Sequence, residues 1–239
     1  MTAPARTGAF FDLDGTLLPP PSLEWRFIAW LLARDEISSA NAAGWFARCV
    51  RKILLDPKAA LDGNKLYLAG LPVSIVKDWA RSVETNPPEF SSSGIARLAW
   101  HAAQGHRTFL VSGTLAPLAT VIAHYLPCPV DICATELDVL DGHWTGWLAG
   151  EHMSGFSKAR AVAAQASLHG VALSESFAYG DSVSDIPMLS LVRQPVAVNP
   201  SPRLARIARR RGWQTCRWTG TQFADKLVAT KLLPSGRAL

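Results

Sequence analysis

The chain has 239 residues, of which 49% are hydrophobic and 18% are charged. Length and composition together exclude an intrinsically disordered chain, a collagen-like rod and a small disulfide-stapled scaffold, and they allow one large domain or a core with an inserted module. The net charge of +5 is mild for this length, so it leaves nucleic acid, an acidic membrane surface and a small phosphorylated substrate open as partners.

The amino-terminal part predicts one strand followed by a long helical segment. Thr7–Leu13 is a short apolar run that ends in acidic residues, which is typical of a buried parallel strand. The prolines of Pro19–Pro21 then interrupt regular structure, and from Ser22 the apolar residues recur at helical spacing. Because no strand-like run appears before Asn86, we expect residues 19–86 to form an all-helical insert.

Strands and helices alternate after this insert. The predicted strands are Thr108–Val111, Val130–Thr135, Phe177–Tyr179 and Val196–Val198. Asp141-Gly142 predicts a hairpin turn between two shorter β-prone runs, and a basic helix is expected between Ser201 and Gly212. This alternation predicts an α/β fold with a Rossmann-like, mainly parallel sheet and helices on both of its faces.

The pattern divides the chain into three regions. Residues 1–18 and 87–218 would form the α/β core, and residues 19–86 the inserted helical domain. Residues 219–239 would form a carboxy-terminal tail, in which Phe223, Leu227 and Val228 have the spacing of a packed helix.

The cellular location is inferred from the cysteines and from hydropathy. The four cysteines form no CxxC pair and no zinc-ligand pattern, which indicates reduced thiols. No stretch has the character of an export signal or a membrane span, so we expect a cytoplasmic protein. The oligomeric state is left open by the sequence.

Carboxylate pairs follow two of the predicted strands. Asp12 and Asp14 stand two residues apart after the first strand, and Asp181 and Asp185 follow the strand Phe177–Tyr179. Ligands of such sheets bind beyond the carboxyl ends of the strands, so both pairs are expected at one site. A turn or a helix cap explains any single aspartate, but it explains pairs at two strand ends less well. Carboxylates held close together need a cation, and hard oxygen ligands suit Mg²⁺.

These residues carry a family resemblance. Asp12-Leu13-Asp14-Gly15-Thr16-Leu17 resembles the first motif of the haloacid dehalogenase-like (HAD) hydrolase superfamily. Ser112 resembles its second motif, Lys158 its third, and Gly180-Asp181-Ser182-Val183-Ser184-Asp185 its fourth. The helical insert resembles the cap of the phosphoserine-phosphatase-like branch (subfamily IB). The resemblance covers roughly residues 7–217 and implies a phosphatase acting on a small phosphorylated metabolite.

The resemblance implies a catalytic role for the acidic residues. Asp12 would be the nucleophile that forms an aspartyl phosphate, and Asp14 would act first as general acid and then as general base. Mg²⁺ would be bound by Asp12, by the backbone carbonyl of Asp14 and by Asp181. The metal would offset the repulsion between an anionic nucleophile and an anionic substrate.

Other motif residues would bind the phosphoryl group. The Ser112 hydroxyl and the Gly113 amide are expected to donate to its oxygens, and Lys158 to add a positive charge. Asp185 would not bind the metal directly but would orient a metal-bound water or Lys158. Asn199 is a further candidate for a contact at the rim, near the phosphate.

The substrate depends on the cap, where the sequence departs from the family pattern. Phosphoserine phosphatases of this branch carry a serine after the second aspartate of the first motif, and a glutamate shortly beyond. Gly15 occupies that place here, and the nearest glutamate, Glu24, is displaced by Pro19–Pro21. This departure argues against phosphoserine itself as the substrate.

Three alternatives remain beside a phosphatase of small metabolites. One is a phosphotransferase that passes the aspartyl phosphate to another hydroxyl, and another is a lipid-phosphate phosphatase whose cap tryptophans line an apolar pocket. The third is a non-catalytic protein that docks on a membrane or a partner through a basic surface. The basic helix Arg203–Arg211 predicts an amphipathic surface helix rather than a nucleic-acid site, since no recognition motif accompanies it.

Overall fold

A computed structural model describes residues 6–41, 43–47 and 65–223 of the chain. In chain order, its strands are β1 (Gly8–Phe11), β2 (Glu89–Ser91), β3 (Arg107–Leu115), β4 (Asp131–Thr135), β5 (Leu137–Leu140), β6 (His143–Leu148), β7 (Phe177–Gly180), β8 (Gln194–Val198), β9 (Gln214–Cys216) and β10 (Thr221–Phe223). The labelled helices are α1 (Leu23–Leu32), α2 (Ile75–Thr85), α3 (Ser92–Ala103), α4 (Ala116–Ala123), α5 (Phe156–His169), α6 (Ile186–Leu189) and α7 (Pro202–Arg211). Residues 39–41 and 43–47 are also helical.

The central sheet has six strands in the order β4-β3-β1-β7-β8-β9. Every neighbouring pair in it is parallel. The predicted Rossmann-like α/β sheet is therefore confirmed, and the predicted strand Thr108–Val111 extends in both directions to the bounds of β3. Because parallel strands end at the same edge, the residues that follow β1, β3 and β7 meet there.

Alternate side chains of β1 enter two different hydrophobic cores. Phe10 stacks on Phe109 at 4.6 Å between ring centroids, in the core that α5, α6 and α7 cover. Phe11 stacks on Tyr179 at 4.5 Å, in the core that α1 to α4 cover. Helices thus lie on both faces of the sheet, as predicted, and burial of these apolar side chains is the main stabilising contribution.

The predicted hairpin at Asp141-Gly142 is confirmed as the antiparallel pair β5–β6. It stands outside the main sheet and lies against the helical insert. The Gly70 amide donates to the Trp144 carbonyl at 2.8 Å, and the Trp144 amide donates to the Leu71 carbonyl at 2.9 Å. The Trp144 ring also meets the Phe27 ring edge to face. The hairpin therefore attaches the insert to the rest of the protein, while the boundaries proposed for the insert stay a prediction.

The tail begins with a strand rather than with the predicted helix. β10 pairs antiparallel with β2, with Thr221 opposite Ser91. The Ser92 amide donates to the Gly220 carbonyl at 3.1 Å, which extends this pairing. The helical prediction is wrong at residues 221–223 because their backbone groups find partners in a distant strand. Leu227 and Val228 lie outside the described residues.

Among the residues described, no helix combines the length and the apolar character needed to cross a membrane.

Candidate active site

Asp12 lies directly after β1, at the carboxyl edge of the sheet. Its backbone N–H donates to the Tyr179 carbonyl of β7 at 3.0 Å, which continues the strand pairing up to the site. The chain then turns back, because the Leu17 and Leu18 amides both donate to the Leu13 carbonyl. This turn brings the Thr16 hydroxyl to 3.3 Å from Asp12 Oδ2. Asp12 is buried, so the strand and the turn fix its carboxylate in place.

Lys158 connects the first and fourth motifs. Its Nζ donates to Asp12 Oδ1 and to Asp185 Oδ1, at 2.6 Å in each case, and all three side chains are buried. Burial alone would lower the pKa of Lys158, but the charges of Asp12 and Asp185 outweigh it and raise that pKa. The ammonium is therefore held charged beside Asp12, while its role in binding phosphate stays a prediction.

Asp185 accepts three hydrogen bonds from Ser182 and Lys158. Its Oδ2 accepts from the Ser182 backbone N–H and from the Ser182 hydroxyl, both at 2.9 Å, while its Oδ1 accepts from Lys158. Asp185 is thus bonded to the Lys158 ammonium, and its expected role in orienting Lys158 or a metal-bound water stays a prediction. The end of β7 approaches the Asp185 side chain so closely that Gly180 is required there, since a β carbon on Gly180 would lie 2.5 Å from Asp185 Cβ.

Three carboxylates converge on a point suited to a cation. One oxygen each from Asp12, Asp181 and Asp185 lies within 4.8 Å of the others. Burial, and after it the charge of Asp185, raises the pKa of Asp181 to about 6. Burial likewise raises the pKa of Asp12, against the attraction of Lys158. Such a set of hard oxygen donors, electrostatically costly without a cation, fits Mg²⁺.

Asp14 faces the start of the helical insert. Its Oδ1 accepts from the backbone N–H of Leu23, the first residue of α1, at 2.6 Å. Burial raises the pKa of the Asp14 carboxyl, and the hydrogen bond from Leu23 opposes that shift. The residue expected to handle protons is therefore tied to the point where the insert begins.

Ser112 and Gly113 lie together near the end of β3. The Ser112 hydroxyl is buried and accepts from the Thr114 backbone N–H at 3.2 Å. The Gly113 carbonyl accepts from the Thr135 hydroxyl at 2.7 Å, and that hydroxyl accepts from the Met153 backbone N–H at 3.1 Å. The Gly113 carbonyl and the Thr114 N–H belong to one peptide group, so these bonds fix the peptide that directly follows Gly113.

The Asn199 side chain is hydrogen-bonded to Trp218, and its predicted contact at the rim near the phosphate stays a prediction. Its side-chain amide donates to the Trp218 carbonyl at 3.2 Å, and its Oδ1 accepts from the Trp218 N–H at 3.0 Å. Both ends of the carboxamide are thus used to hold the segment before β10. A small cavity of about 250 Å³ is lined by Asn199 together with Asp181, so Asn199 does lie near the acidic site.

A polar cluster in the insert was missed by the sequence reasoning. The Glu24 carboxylate accepts from Lys65 Nζ and from the Tyr67 hydroxyl, and Lys65 is buried. The charge of Glu24 also acts on Asp14. Glu24 and Lys65 are 41 residues apart in the chain. A single lysine within a helical pattern predicts a solvent-exposed side chain, so the sequence did not indicate this pair.

Two positioning hydroxyls were also missed. Thr16 bonds Asp12, and Thr135 fixes the backbone at Gly113. Thr16 lies four residues after Asp12 in the tight turn of the first motif, and that spacing could have indicated it. Thr135 ends the neighbouring strand β4, which is a contact between distant segments that spacing does not report.

Comparison with known proteins gives consistent results. The family model for haloacid dehalogenase-like hydrolases matches residues 9–190, which include every proposed site residue except Asn199. Phosphoserine phosphatase SerB1 of Mycobacterium tuberculosis is 33% identical over 242 residues, covering 96% of this chain and 77% of that protein. The histidinol-phosphatase of Neisseria meningitidis serogroup C is 27% identical over 214 residues, covering 86% of this chain and 96% of that protein.

A solved structure supports the same fold. A protein of unknown function from Bordetella pertussis Tohama I matches with a TM-score of 0.75 and 26% sequence identity, covering 90% of this chain and 100% of its own. The similarity therefore covers most of the chain and is not limited to the short motifs.

Proposed function

Because this chain belongs to the haloacid dehalogenase-like hydrolase family and is a phosphatase, we propose that it hydrolyses a small phosphate monoester through an aspartyl-phosphate intermediate, with Mg²⁺ as cofactor. The observation that carries this proposal is the buried Asp12 carboxylate at the end of β1, 2.6 Å from the ammonium of Lys158. A carboxylate held rigidly beside a fixed cation is suited to attack an anionic phosphorus centre.

The reaction has two steps on the same carboxylate. In the first, an oxygen of Asp12 bonds to phosphorus, the bond from phosphorus to the ester oxygen breaks, and Asp14 gives its proton to the departing alkoxide. In the second, Asp14 takes a proton from water as that water attacks phosphorus, which releases phosphate and restores Asp12. The hydrogen bond from Leu23 holds the Asp14 carboxyl at the base of the insert, where the departing alcohol would lie.

The remaining site residues bind charge rather than exchange protons. Lys158 attracts the transferring phosphoryl group, and the hydroxyl of Ser112 and the amide of Gly113 donate to its oxygens. Lys158 is already held by Asp185, so it needs no reorganisation when the substrate arrives. Preorganised donors of this kind are worth several kcal/mol in the transition state.

The carboxylates would hold Mg²⁺. Its ligands would be Asp12, Asp181 and the backbone carbonyl of Asp14. Asp185 would hold Lys158, which in turn is hydrogen-bonded to Asp12. When bound, Mg²⁺ supplies positive charge that offsets the repulsion between the nucleophile and the phosphate.

The leaving group is proposed to be an alcohol that lacks the ammonium of serine. The cap contributes a buried ion pair, in which Glu24 is neutralised by Lys65 and hydrogen-bonded by Tyr67. A glutamate with such partners is not available to bind a substrate ammonium. This agrees with the sequence argument against phosphoserine as the substrate. The names of the two relatives, phosphoserine phosphatase and histidinol-phosphatase, indicate different substrates. Neither name assigns the substrate of this chain.

The nucleophile can be tested with an isosteric variant. Asp12→Asn keeps the side-chain volume, and we expect it to lower Mg²⁺-dependent turnover of p-nitrophenyl phosphate by roughly three orders of magnitude or more. Asp138→Asn, on the exposed hairpin, is the matched control and should retain full activity. Rapid acid quenching with a radiolabelled phosphate monoester should label the wild-type protein and leave Asp12→Asn unlabelled. Wild-type turnover in the Asp12→Asn variant would contradict the proposal.

A further inference from the structure

A groove outside the candidate active site lies between α7 and β9, at one edge of the central sheet. Its volume is about 810 Å³, within the range of about 300–1,000 Å³ that is typical of small-molecule sites. Arg209, Trp213 and Arg217 line it, together with Asn199. The aspartates and Lys158 of the site described above are not among its lining residues.

The part of the chain that forms this groove carries charge of one sign. Residues 186–223 contain seven arginines and no lysine, aspartate or glutamate, so their charge exceeds the net +5 of the whole chain. Arg209 and Arg217 are both exposed. Within the described part of the chain, neither guanidinium forms a hydrogen bond or an ion pair. Two guanidinium groups on one concave surface are therefore available to an anionic ligand.

The neighbouring Arg211, unlike Arg209 and Arg217, has partners among the described residues of the protein. Arg211 donates to the Ser190 hydroxyl at 2.7 Å and lies over the Trp213 ring, 5.0 Å from its centroid. Trp213 packs against the core as well, so it forms a wall of the groove rather than a stacking platform. Recognition in the groove therefore depends on charge and on hydrogen bonds.

We propose that this groove binds a small phosphorylated molecule that carries at least two negative charges on its phosphate. The planar guanidinium matches the geometry of phosphate oxygens and can bind two of them at once. The concave shape and the limited volume favour a metabolite over a flat membrane surface or an extended nucleic acid. The site is separate from the phosphate that is hydrolysed, although Asn199 borders both this groove and the cavity beside Asp181.

The test is calorimetric titration of the full chain with inorganic diphosphate, in EDTA so that no divalent cation is present. The double variant Arg209→Gln/Arg217→Gln removes both groove charges. Arg203→Gln/Arg206→Gln is the matched control, because it removes the same charge from exposed positions of α7 that do not line the groove. We expect the Kd to rise about tenfold or more in the groove variant and to change by about twofold at most in the control. Mg²⁺-dependent turnover of p-nitrophenyl phosphate should be unchanged in both.

Several results would overturn the proposal. Absence of diphosphate binding to the wild type would do so, and so would equal weakening in the two double variants, which would indicate a diffuse basic surface. Binding of citrate in the groove without binding of diphosphate would assign it to polycarboxylates instead. Binding to phosphatidylserine vesicles that both variants lose equally, without a diphosphate site, would assign the basic face to a membrane.

Discussion

A β carbon on Gly15 would lie 2.6 Å from the carboxyl carbon of Asp181. The first and fourth motifs therefore approach so closely that a side chain at Gly15 would displace a proposed ligand of the metal. Gly15 also has a φ of +83°, a conformation that other residues adopt at a cost. Where the resemblance to phosphoserine phosphatases leads one to expect serine, this chain has a glycine, and a side chain there could not be added without moving Asp181.

We predict that Gly15→Ala raises the Mg²⁺ concentration needed for half-maximal activity, because Asp181 must rotate away from its present position. The measurement is phosphatase activity against Mg²⁺ concentration, and an increase of about tenfold is expected, as for a perturbed metal site. Gly105→Ala is the matched control, since Gly105 has a φ of +75° and its β carbon would meet no atom within 4 Å. The control should lose about 1–3 kcal/mol of stability and keep the Mg²⁺ dependence of the wild type.

An equal change of Mg²⁺ dependence in Gly15→Ala and Gly105→Ala would show that backbone strain, and not the contact with Asp181, controls the site. A wild-type activity profile in Gly15→Ala would show that the contact with Asp181 does not control the metal site.

The second prediction concerns Lys158, the buried cation between two buried carboxylates. Lys158→Met leaves Asp12 and Asp185 without their counter-charge, and we expect it to lower the free energy of unfolding by about 3–5 kcal/mol at neutral pH. Urea-induced unfolding measures this loss. Arg81→Met is the control, because the pair Arg81–Asp78 is exposed and should contribute about 1 kcal/mol or less.

A second variant separates charge from packing at Lys158. Lys158→Met combined with Asp185→Asn removes one of the two unpaired carboxylates, so part of the lost stability should return while phosphatase activity stays absent. A Lys158→Met protein as stable as the wild type would contradict the assigned role of this ammonium.

The sequence predicted those features that depend on local pattern. Buried parallel strands are continuous apolar runs, so β1, β3, β7 and β8 were identified, and Asp12 and Asp181 were found because they directly follow such runs. The hairpin turn was identified from its two residues alone. In each of these cases the information lies within a few neighbouring positions.

Contacts between distant segments were not predictable in this way. β10 pairs with β2 across some 130 residues, and its three residues carry too little pattern to show a strand. Glu24 and Lys65 meet across the insert, and Asn199 meets Trp218 around the end of the sheet. Hydrophobic periodicity reports which residues are buried, but it does not report which polar groups they find as partners.

The third prediction is a loss of stability at acidic pH that depends on His101. This imidazole is fully buried, with Nε2 2.8 Å from the Tyr179 hydroxyl and Nδ1 2.8 Å from Nδ1 of His106. Burial, and after it the charges of His106 and Arg97, lowers the pKa of His101 from 6.5 to about 3. The folded protein therefore keeps His101 neutral over a range of pH in which the unfolded chain binds a proton.

The sign follows from that difference. The stability that a neutral His101 contributes is complete above pH 6.5 and is lost progressively as the pH falls towards 3. The loss amounts to at most about 1.4 kcal/mol for each pH unit. Urea unfolding at about pH 7 and about pH 5 should therefore give a smaller difference for His101→Gln than for the wild type. His143→Gln, on the exposed hairpin, should keep the wild-type difference, and an unchanged difference in His101→Gln would count against this prediction.

The fourth prediction concerns the ion pair between Glu24 and Lys65 in the insert. Lys65 is buried, so Glu24→Gln leaves its ammonium without a counter-charge and should lower the free energy of unfolding by about 3–5 kcal/mol. The double variant Glu24→Gln/Lys65→Met removes both charges and should recover most of that loss. Because the pair is neutral as a unit, we expect kcat/KM for phosphoserine and for p-nitrophenyl phosphate to change by the same factor in the double variant. A selective loss for phosphoserine, whose ammonium p-nitrophenyl phosphate lacks, would show instead that Glu24 contacts the substrate.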